Sequence, residues 1–169
     1  MNHVMTSKTT CRACLGKKLE KVFSFGPTPL ANAFLTLEQL DQPEEFYPLD
    51  VYFCRHCSFL QLGHVVSPEV LFHNYVYVSS TSDVFVAHFH DYAHQIIERL
   101  RLHDRSFVVD IGSNDGILLR PFKDNGMKVL GIDPAEKIAA LATKSGIETL
   151  PVFFTPAVEK DIVKKYGKA

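Results

Sequence analysis

Two Cys-x-x-Cys pairs, Cys11-Arg12-Ala13-Cys14 and Cys54-Arg55-His56-Cys57, constrain this chain more than any other feature. A two-residue gap lets both thiolates of a pair reach one ion from a tight turn, and two such turns complete the tetrahedral sulfur shell that zinc favours. All four cysteines of the chain fall in these pairs, with none left over. Disulfides or a redox pair are the other uses of this spacing, but in a reducing compartment metal ligation is the commoner one. Four protein ligands leave no coordination position for water, so the implied role is structural. His56 and His64 lie close enough to be spare ligands, and neither is expected to bind.

Around the cysteines, from about Cys11 to Phe72, the chain lacks long helical periodicity. Pro27, Pro29, Pro43, Pro48 and Pro68 fall between brief apolar runs. This reads as a loop-rich module with short strands over residues 1–72. Such a module has little core of its own, the situation in which a bound metal substitutes for buried area.

A linking segment, residues 73–105, follows. Ser80 with Asp83 three residues on is a possible capping box. Phe85, Phe89, Tyr92, Ile96 and Leu100 recur at helical spacing. His90-Asp91-Tyr92-Ala93-His94 resembles the zincin arrangement, with aspartate in place of the glutamate base and no third ligand evident. A solvated helix face is the expected reading, and the same holds for His88 and His103.

From Ser106 the pattern becomes strand, turn, helix, repeated. Strands are expected at Phe107–Ile111, Lys128–Ile132 and Ile147–Leu150. Helices are expected from Ile117 to Asn125, from Pro134 to about Lys144, and from Thr155 and Pro156 nearly to the end. The fold class is α/β, a parallel sheet with helices on both faces. Residues 106–169 form the first half of a Rossmann-like domain. A doubly wound sheet has more strands than these three, so the chain is expected to be a piece of a longer protein or to be completed by a partner. An open apolar sheet edge is also a route to self-association.

The turn Asp110-Ile111-Gly112-Ser113-Asn114-Asp115-Gly116 is the most informative stretch. Glycines at the end of a first strand let backbone approach a ligand. A dinucleotide fingerprint would need glycines where Asn114 and Ile117 stand, and Asp110 and Asp115 put negative charge where pyrophosphate would lie. S-adenosylmethionine carries an ammonium and a sulfonium instead, and an acid at the strand end favours it. Asp110 would face its methionine portion or organise the loop, and Gly112, Asn114 and Gly116 would line its edge. Asp133, ending the second strand, is either a ribose acceptor or the N-cap of the helix that Pro134 opens.

Composition excludes other classes. The formal net charge is -1, with 46% hydrophobic and 22% charged residues, so no basic field is available to collect nucleic acid. No apolar run approaches the ~20 residues that span a bilayer, and the polar start, Met1 to Thr10, lacks a secretory signal. A cytoplasmic location is expected.

Taken together, the order of the cysteine pairs, the segment Phe25-Gly26-Pro27-Thr28-Pro29-Leu30-Ala31-Asn32, the segment Tyr75-Val76-Tyr77-Val78-Ser79-Ser80 and the Asp110–Gly116 turn resemble the zinc-containing sugar C-methyltransferases. The resemblance runs from Cys11 to the end of the chain. It implies methyl transfer from S-adenosylmethionine to a ring carbon beside a ketone of a nucleotide-linked deoxysugar, after a base removes that carbon's proton. It also implies that Tyr77, with Tyr75 second, faces the sugar; the other reading of both is aromatic packing. The family's catalytic histidine lies in a Tyr-His-Glu-His segment that this chain does not contain, so the expected base is outside it. A methyltransferase with another small-molecule acceptor, and a noncatalytic zinc module carrying a remnant half-sheet, are the alternatives the residues leave open.

Overall fold

Aromatic and β-branched residues between the cysteine pairs form an antiparallel sheet in the computed structural model, which describes residues 4–72 and 75–169. Residues 1–3 and 73–74, the latter being where the linking segment is expected to begin, lie outside the described residues. The chain divides into two units, Met1–Phe72 and His73–Ala169.

In the first unit β1 (Met5–Ser7) precedes β2 (Leu19–Thr28), β3 (Tyr47–Cys54), β4 (Leu60–Leu62), β5 (His64–Val66) and the short helix α1 (Pro68–Phe72). Strands β2, β3 and β4 pair antiparallel in that order, and β1 pairs with β5. The strands are not uniformly short: β2 runs ten residues. It does so by absorbing two irregularities, one between Lys21 and Phe23 and one between Ser24 and Pro27. At the second, Gly26 takes a φ of +77° and donates its N–H to Ser24 Oγ. Prolines that suggest loops are accommodated because Pro27 sits on an edge strand and its partner Pro48 lies near the start of β3, where β4 does not reach.

Little of this unit is deeply buried. Among its described residues Cys11, Cys54, Gln61 and Gly63 are, while Phe23, Phe25, Phe34 and Leu37 are exposed. The interior of the first unit is its thiol cluster.

The second unit has an aliphatic core. Helix α2 (Asp83–Leu100) leads into β6 (Phe107–Ile111), α3 (Leu119–Asp124), β7 (Lys128–Ile132), α4 (Glu136–Lys144), β8 (Thr149–Leu150) and α5 (Pro156–Tyr166). The three strands are parallel in the order β6-β7-β8, with Phe107 opposite Lys128 and Gly131 opposite Thr149. Side chains alternate across the sheet. Phe107, Val109, Leu130 and Ile132 pack with Ile162 and Val158 of α5 on one face. Val108 and Val129 turn the other way, to Leu119, Phe122, Ala142 and Ile147. Helices therefore cover both faces, the arrangement of a partial Rossmann-like domain.

Several boundaries differ from the periodicity, each for a local reason. The cap of α2 is Ser82, whose hydroxyl accepts from the Phe85 N–H; Ser80 lies instead in a 3₁₀ turn, Ser79–Thr81. The inward face of α2 centres on Ala93, which with Ile96 and Ile97 meets Phe122 and Met127, whereas Phe85, Tyr92 and Leu100 are exposed. Helix α3 begins at Leu119 because the backbone of Ser113–Gly116 is taken up in a turn. Helix α4 begins at Glu136, since Asp133 Oδ1 accepts the Ala135 N–H and holds Pro134 in the connection. Strand β8 is reduced to two residues: the Ile147 N–H closes the end of α4 on Ala142 O. The end of the chain follows the pattern, with Thr155 capping α5 through the Val158 N–H and Pro156 in its first turn.

Two glycines in the β6–α3 turn are held by different demands. Both have left-handed backbone, φ +80° at Gly112 and +81° at Gly116, but a Cβ on Gly116 would come within 2.9 Å of Ile147 while one on Gly112 meets open space. Gly112→Ala should cost ~1–2 kcal/mol for the left-handed backbone. Gly116→Ala should cost ~2–4 kcal/mol, the clash added to the same strain. Chemical denaturation of the two variants should rank them in that order, and equal losses would show that Ile147 yields freely.

Candidate metal centre and glycine turn

Each cysteine pair is folded by the same backbone device. The Leu15 N–H donates to Cys11 O and the Cys11 N–H to Gly16 O; in the second pair the Ser58 N–H donates to Cys54 O and the Cys54 N–H to Phe59 O. Leu15 and Ser58 occupy the same place in the two turns, and both take left-handed backbone, φ 61° and 62°. The turns aim N–H groups at sulfur: those of Cys14 and Ala13 at Cys11, of Cys57 and His56 at Cys54, of Gly16 at Cys14 and of Phe59 at Cys57. Gln61 on β4 braces the first turn, accepting the Arg12 N–H at 2.8 Å and donating to Thr10 O at 3.2 Å.

The four sulfurs lie within 4.8 Å of one another. Cys11 and Cys57 are 3.6 Å apart and Cys14 and Cys54 are 3.7 Å apart. A tetrahedron with ~2.3 Å zinc–sulfur bonds has edges of roughly 3.8 Å, so the spacing fits zinc. A disulfide at ~2.05 Å does not match, and all four cysteines are free thiols. Among the described residues no histidine joins this group. The His56 Cβ lies 3.6 Å from where a Cβ on Gly16 would stand, and His64 Nδ1 is buried without a hydrogen bond.

Charge explains why the cluster suits a dication. The Cys14 N–H draws the Cys11 thiol down to about 7 against its burial, and the Cys57 N–H lowers Cys54 in the same way. The remaining two must ionise beside existing thiolates. Phe59's N–H favours the Cys57 thiolate, but Cys14, burial, Cys11 and Cys54 outweigh it and push Cys57 up to about 12. Cys14 is raised too, the help of Gly16's N–H being exceeded by burial and by Cys11 and Cys54. Four thiolates at these distances need a cation between them.

In the second unit the strand ends converge on the glycine turn. The Gly112 and Ser113 N–H groups both donate to Ile132 O, at 2.8 and 3.2 Å. Asp110 stands on β6 opposite Gly131. Burial, with Asp133 nearby, holds its carboxyl above the usual range. Asp133 is buried, and both of its oxygens accept backbone N–H groups, Oδ2 that of Asn114 at 2.8 Å and Oδ1 that of Ala135 at 2.9 Å. The carboxylate thus serves the helix entry and the turn together, and its remaining lone pairs are open for a further donor.

Asn114 has left-handed backbone, φ 49°. Its amide side chain reaches the segment Tyr77–Ser79: Nδ2 donates to Tyr77 O at 2.8 Å, and Oδ1 accepts the Ser79 N–H at 2.9 Å. Asp115 Oδ2 accepts the Ser80 N–H at 3.2 Å. The two motifs singled out separately in the sequence are therefore one structure. Nothing in residue order announced this; an Asn beside glycines in a turn signals left-handed backbone but not where its amide points. Tyr77 is half-exposed, and its ring meets Tyr75 edge-on at 6.4 Å.

A cavity of about 460 Å³ lies on the α2, α3 and α4 side of this turn, lined by Val78, Ser80, Asp115, Gly116, Arg120 and Leu141 among others. Of the five residues expected at a cofactor, Gly116 alone borders it. His90 is on its wall, and its Nε2 is 3.3 Å from that of His94, one helical turn away.

Residues 11–72 match a protein family described as a putative zinc binding domain. The chain is also 38% identical over all 169 residues to C-methyltransferase NovU of Streptomyces niveus, and spans 40% of the length of that relative. With the sulfur geometry, this makes Cys11, Cys14, Cys54 and Cys57 a zinc-binding site. No helix among the described residues is long and apolar enough to cross a membrane.

Purified, reduced protein should carry one zinc, and Cys54→Ser should lose the metal together with the folding of the first unit. Zinc binds the thiolate, so its apparent affinity should fall as pH drops, protons already competing for Cys57 and Cys14 at neutral pH, and more steeply below about 7, where Cys11 is protonated as well. Elemental analysis and a competitive-chelator titration across pH check both; metal-free protein with a folded first unit would contradict them.

Proposed function

We propose that this chain, related along its whole length to a C-methyltransferase, is the amino-terminal part of an enzyme that transfers a methyl group from S-adenosylmethionine to a ring carbon of a nucleotide-linked keto-deoxysugar. The observation that carries the reading is the pair of acids at the strand ends, Asp110 and Asp133, flanking a turn bent by Gly112, Asn114 and Gly116. S-adenosylmethionine supplies an electrophilic methyl on a positively charged sulfur, and the sulfur leaves as a neutral thioether.

The chain's residues fit a cationic ligand better than a dinucleotide. Asp110 is part-buried beside a second acid, and among the described residues no cation forms an ion pair with it. A pyrophosphate there would add like charge, whereas an ammonium or sulfonium relieves the repulsion already present. Asn114 replaces the glycine that would let pyrophosphate close on the turn, and its amide is engaged elsewhere. Asp133 takes the ribose hydroxyls with lone pairs its two backbone bonds leave free. Tyr77, held beside the turn, takes the sugar-facing place. The ketone and its neighbouring hydroxyl acidify the ring proton, so an enolate is the nucleophile that displaces the thioether. The base that removes the proton is assigned to no residue of this chain. The zinc site is structural, the protein works in a reducing cytoplasm, and its partner is a small molecule.

Asp110→Asn should weaken S-adenosylmethionine binding by ~1–3 kcal/mol, and Asp133→Ala by a similar amount. Binding should also weaken as pH falls through the raised pKa of Asp110, because only the carboxylate attracts the cation. Asp110→Asn should flatten that dependence. Stability should respond in the opposite sense. A carboxyl whose folded-state pKa is raised contributes stability that is full below the unfolded pKa and lost as pH rises through the folded value, so at neutral pH Asp110→Asn should raise the melting temperature of the ligand-free protein. Titration calorimetry and thermal melts of the full-length protein test this. Tight NADH binding with no response to S-adenosylmethionine would overturn the reading.

A further inference from the structure

We propose that Asn114 is a positioning residue that locks the Tyr77–Ser79 segment to the cofactor turn, so that its side chain governs handling of the methyl acceptor rather than affinity for the methyl donor. This rests on the methyltransferase reading above. The geometry is that of a sheet bridge made by a side chain. Val78 is extended, φ −112° and ψ 120°, which turns Tyr77 O and Ser79 N–H toward the same side. The Asn114 amide meets them with one donor and one acceptor, at 2.8 and 2.9 Å, as a neighbouring peptide group would in a parallel ladder.

Few residues can replace it. An aspartate keeps an acceptor for Ser79 but sets an oxygen against the Tyr77 carbonyl. A glutamine is longer by one methylene. An alanine has neither group and strains the left-handed backbone, which asparagine and glycine tolerate. Asp115 adds a third bond to the same segment through the Ser80 N–H.

The position of Asn114 gives the lock its consequence. Its own N–H is held by Asp133 Oδ2 at 2.8 Å, so one residue stands between the acid assigned to the ribose and the peptide that carries Tyr77. Fixing the Tyr77 carbonyl fixes where its ring starts from, and displacements of about 1 Å at a reacting centre cost ~100-fold in rate. Donor affinity draws on the backbone of the turn and on the two acids, none of which the Asn114 side chain supports.

Asn114→Gly is the decisive variant, because glycine keeps the left-handed turn and the N–H to Asp133 while removing only the amide. In the full-length, zinc-loaded enzyme, hydrogen exchange at the Ser79 N–H should speed up by ~10-fold or more. The dissociation constant for S-adenosylmethionine, by calorimetry, should stay within about threefold. The specificity constant kcat/KM for the keto-sugar nucleotide should fall ~10–100-fold, the loss expected of two hydrogen bonds. Asn114→Asp, retained as a second variant should the glycine protein fail to fold, should keep partial Ser79 protection with the kinetic defect.

Unchanged Ser79 exchange and unchanged acceptor kinetics in Asn114→Gly would overturn the proposal. A loss of donor affinity large enough to explain the whole loss of turnover would also overturn it, by making Asn114 a cofactor contact. Failure of the wild-type enzyme to bind S-adenosylmethionine would sink the methyltransferase reading, and the role of Asn114 with it. Normal wild-type binding with a silent Asn114→Gly would sink the lock alone.

Discussion

The first unit rests on mutual repulsion among four thiolates and the dication that relieves it. Among its described residues the deeply buried ones are Cys11, Cys54, Gln61 and Gly63, where an aliphatic domain would place leucine and valine. The antiparallel sheet does not supply a substitute, since Phe23 and Phe25 of β2 are exposed and meet edge-on, ring centroids 4.7 Å apart. What the sheet does is place the second cysteine pair. Leu19 pairs with Cys54 at the end of the β2–β3 ladder, and the Arg55 N–H donates to Lys18 O. The strands act as a jig, and the metal closes it.

The second unit is organised differently, around the accounting of backbone groups at one turn. Between Gly112 and Gly116 the chain leaves β6, passes through three left-handed residues and enters α3. Regular structure cannot satisfy the N–H groups of such a path. Ile132 O takes two of them and Asp133 a third, while Asn114 and Asp115 turn outward to serve the Tyr77–Ser80 segment. The backbone of the turn is thus held from the sheet, while its own side chains define its surroundings. Gly131 completes the arrangement on the sheet side: a Cβ there would lie 2.5 Å from Ser113 Oγ, so the turn folds down onto bare backbone.

How much of this was legible depends on whether a feature is local. The zinc ligands, strands β6 and β7 to the residue, and the Thr155 cap of α5 follow from spacing, apolar runs and turn chemistry. The face of α2 was not legible, because apolar residues occur all round it. Only packing against Phe122 and Met127 selects Ala93 and its neighbours over Phe85 and Tyr92. Ser82 rather than Ser80 caps α2 because Asp115, 35 residues further on, claims the Ser80 N–H. Strand β2 outlasts its prolines because Gly26 gives it a bulge. In the site, residue types named the chemistry, but the direction of the Asn114 amide and the double use of Asp133 are properties of the folded chain.

The pairing of Leu19 with Cys54 also bears on the order of events during synthesis. Cys11 and Cys14 leave the ribosome first, and an ion captured there has two sulfur ligands and open sites, free to exchange with any thiol in solution. Retention begins when Tyr47–Cys54 zips onto Leu19–Thr28 and delivers the other two sulfurs. The entropy of closing residues 14–54 must be met before the ion contributes its full binding energy. Firm retention of the metal, rather than its first capture, thus reports that the hairpin has formed in register. A one-residue slip in that ladder would turn Cys54 to the opposite face and leave the ion exchangeable.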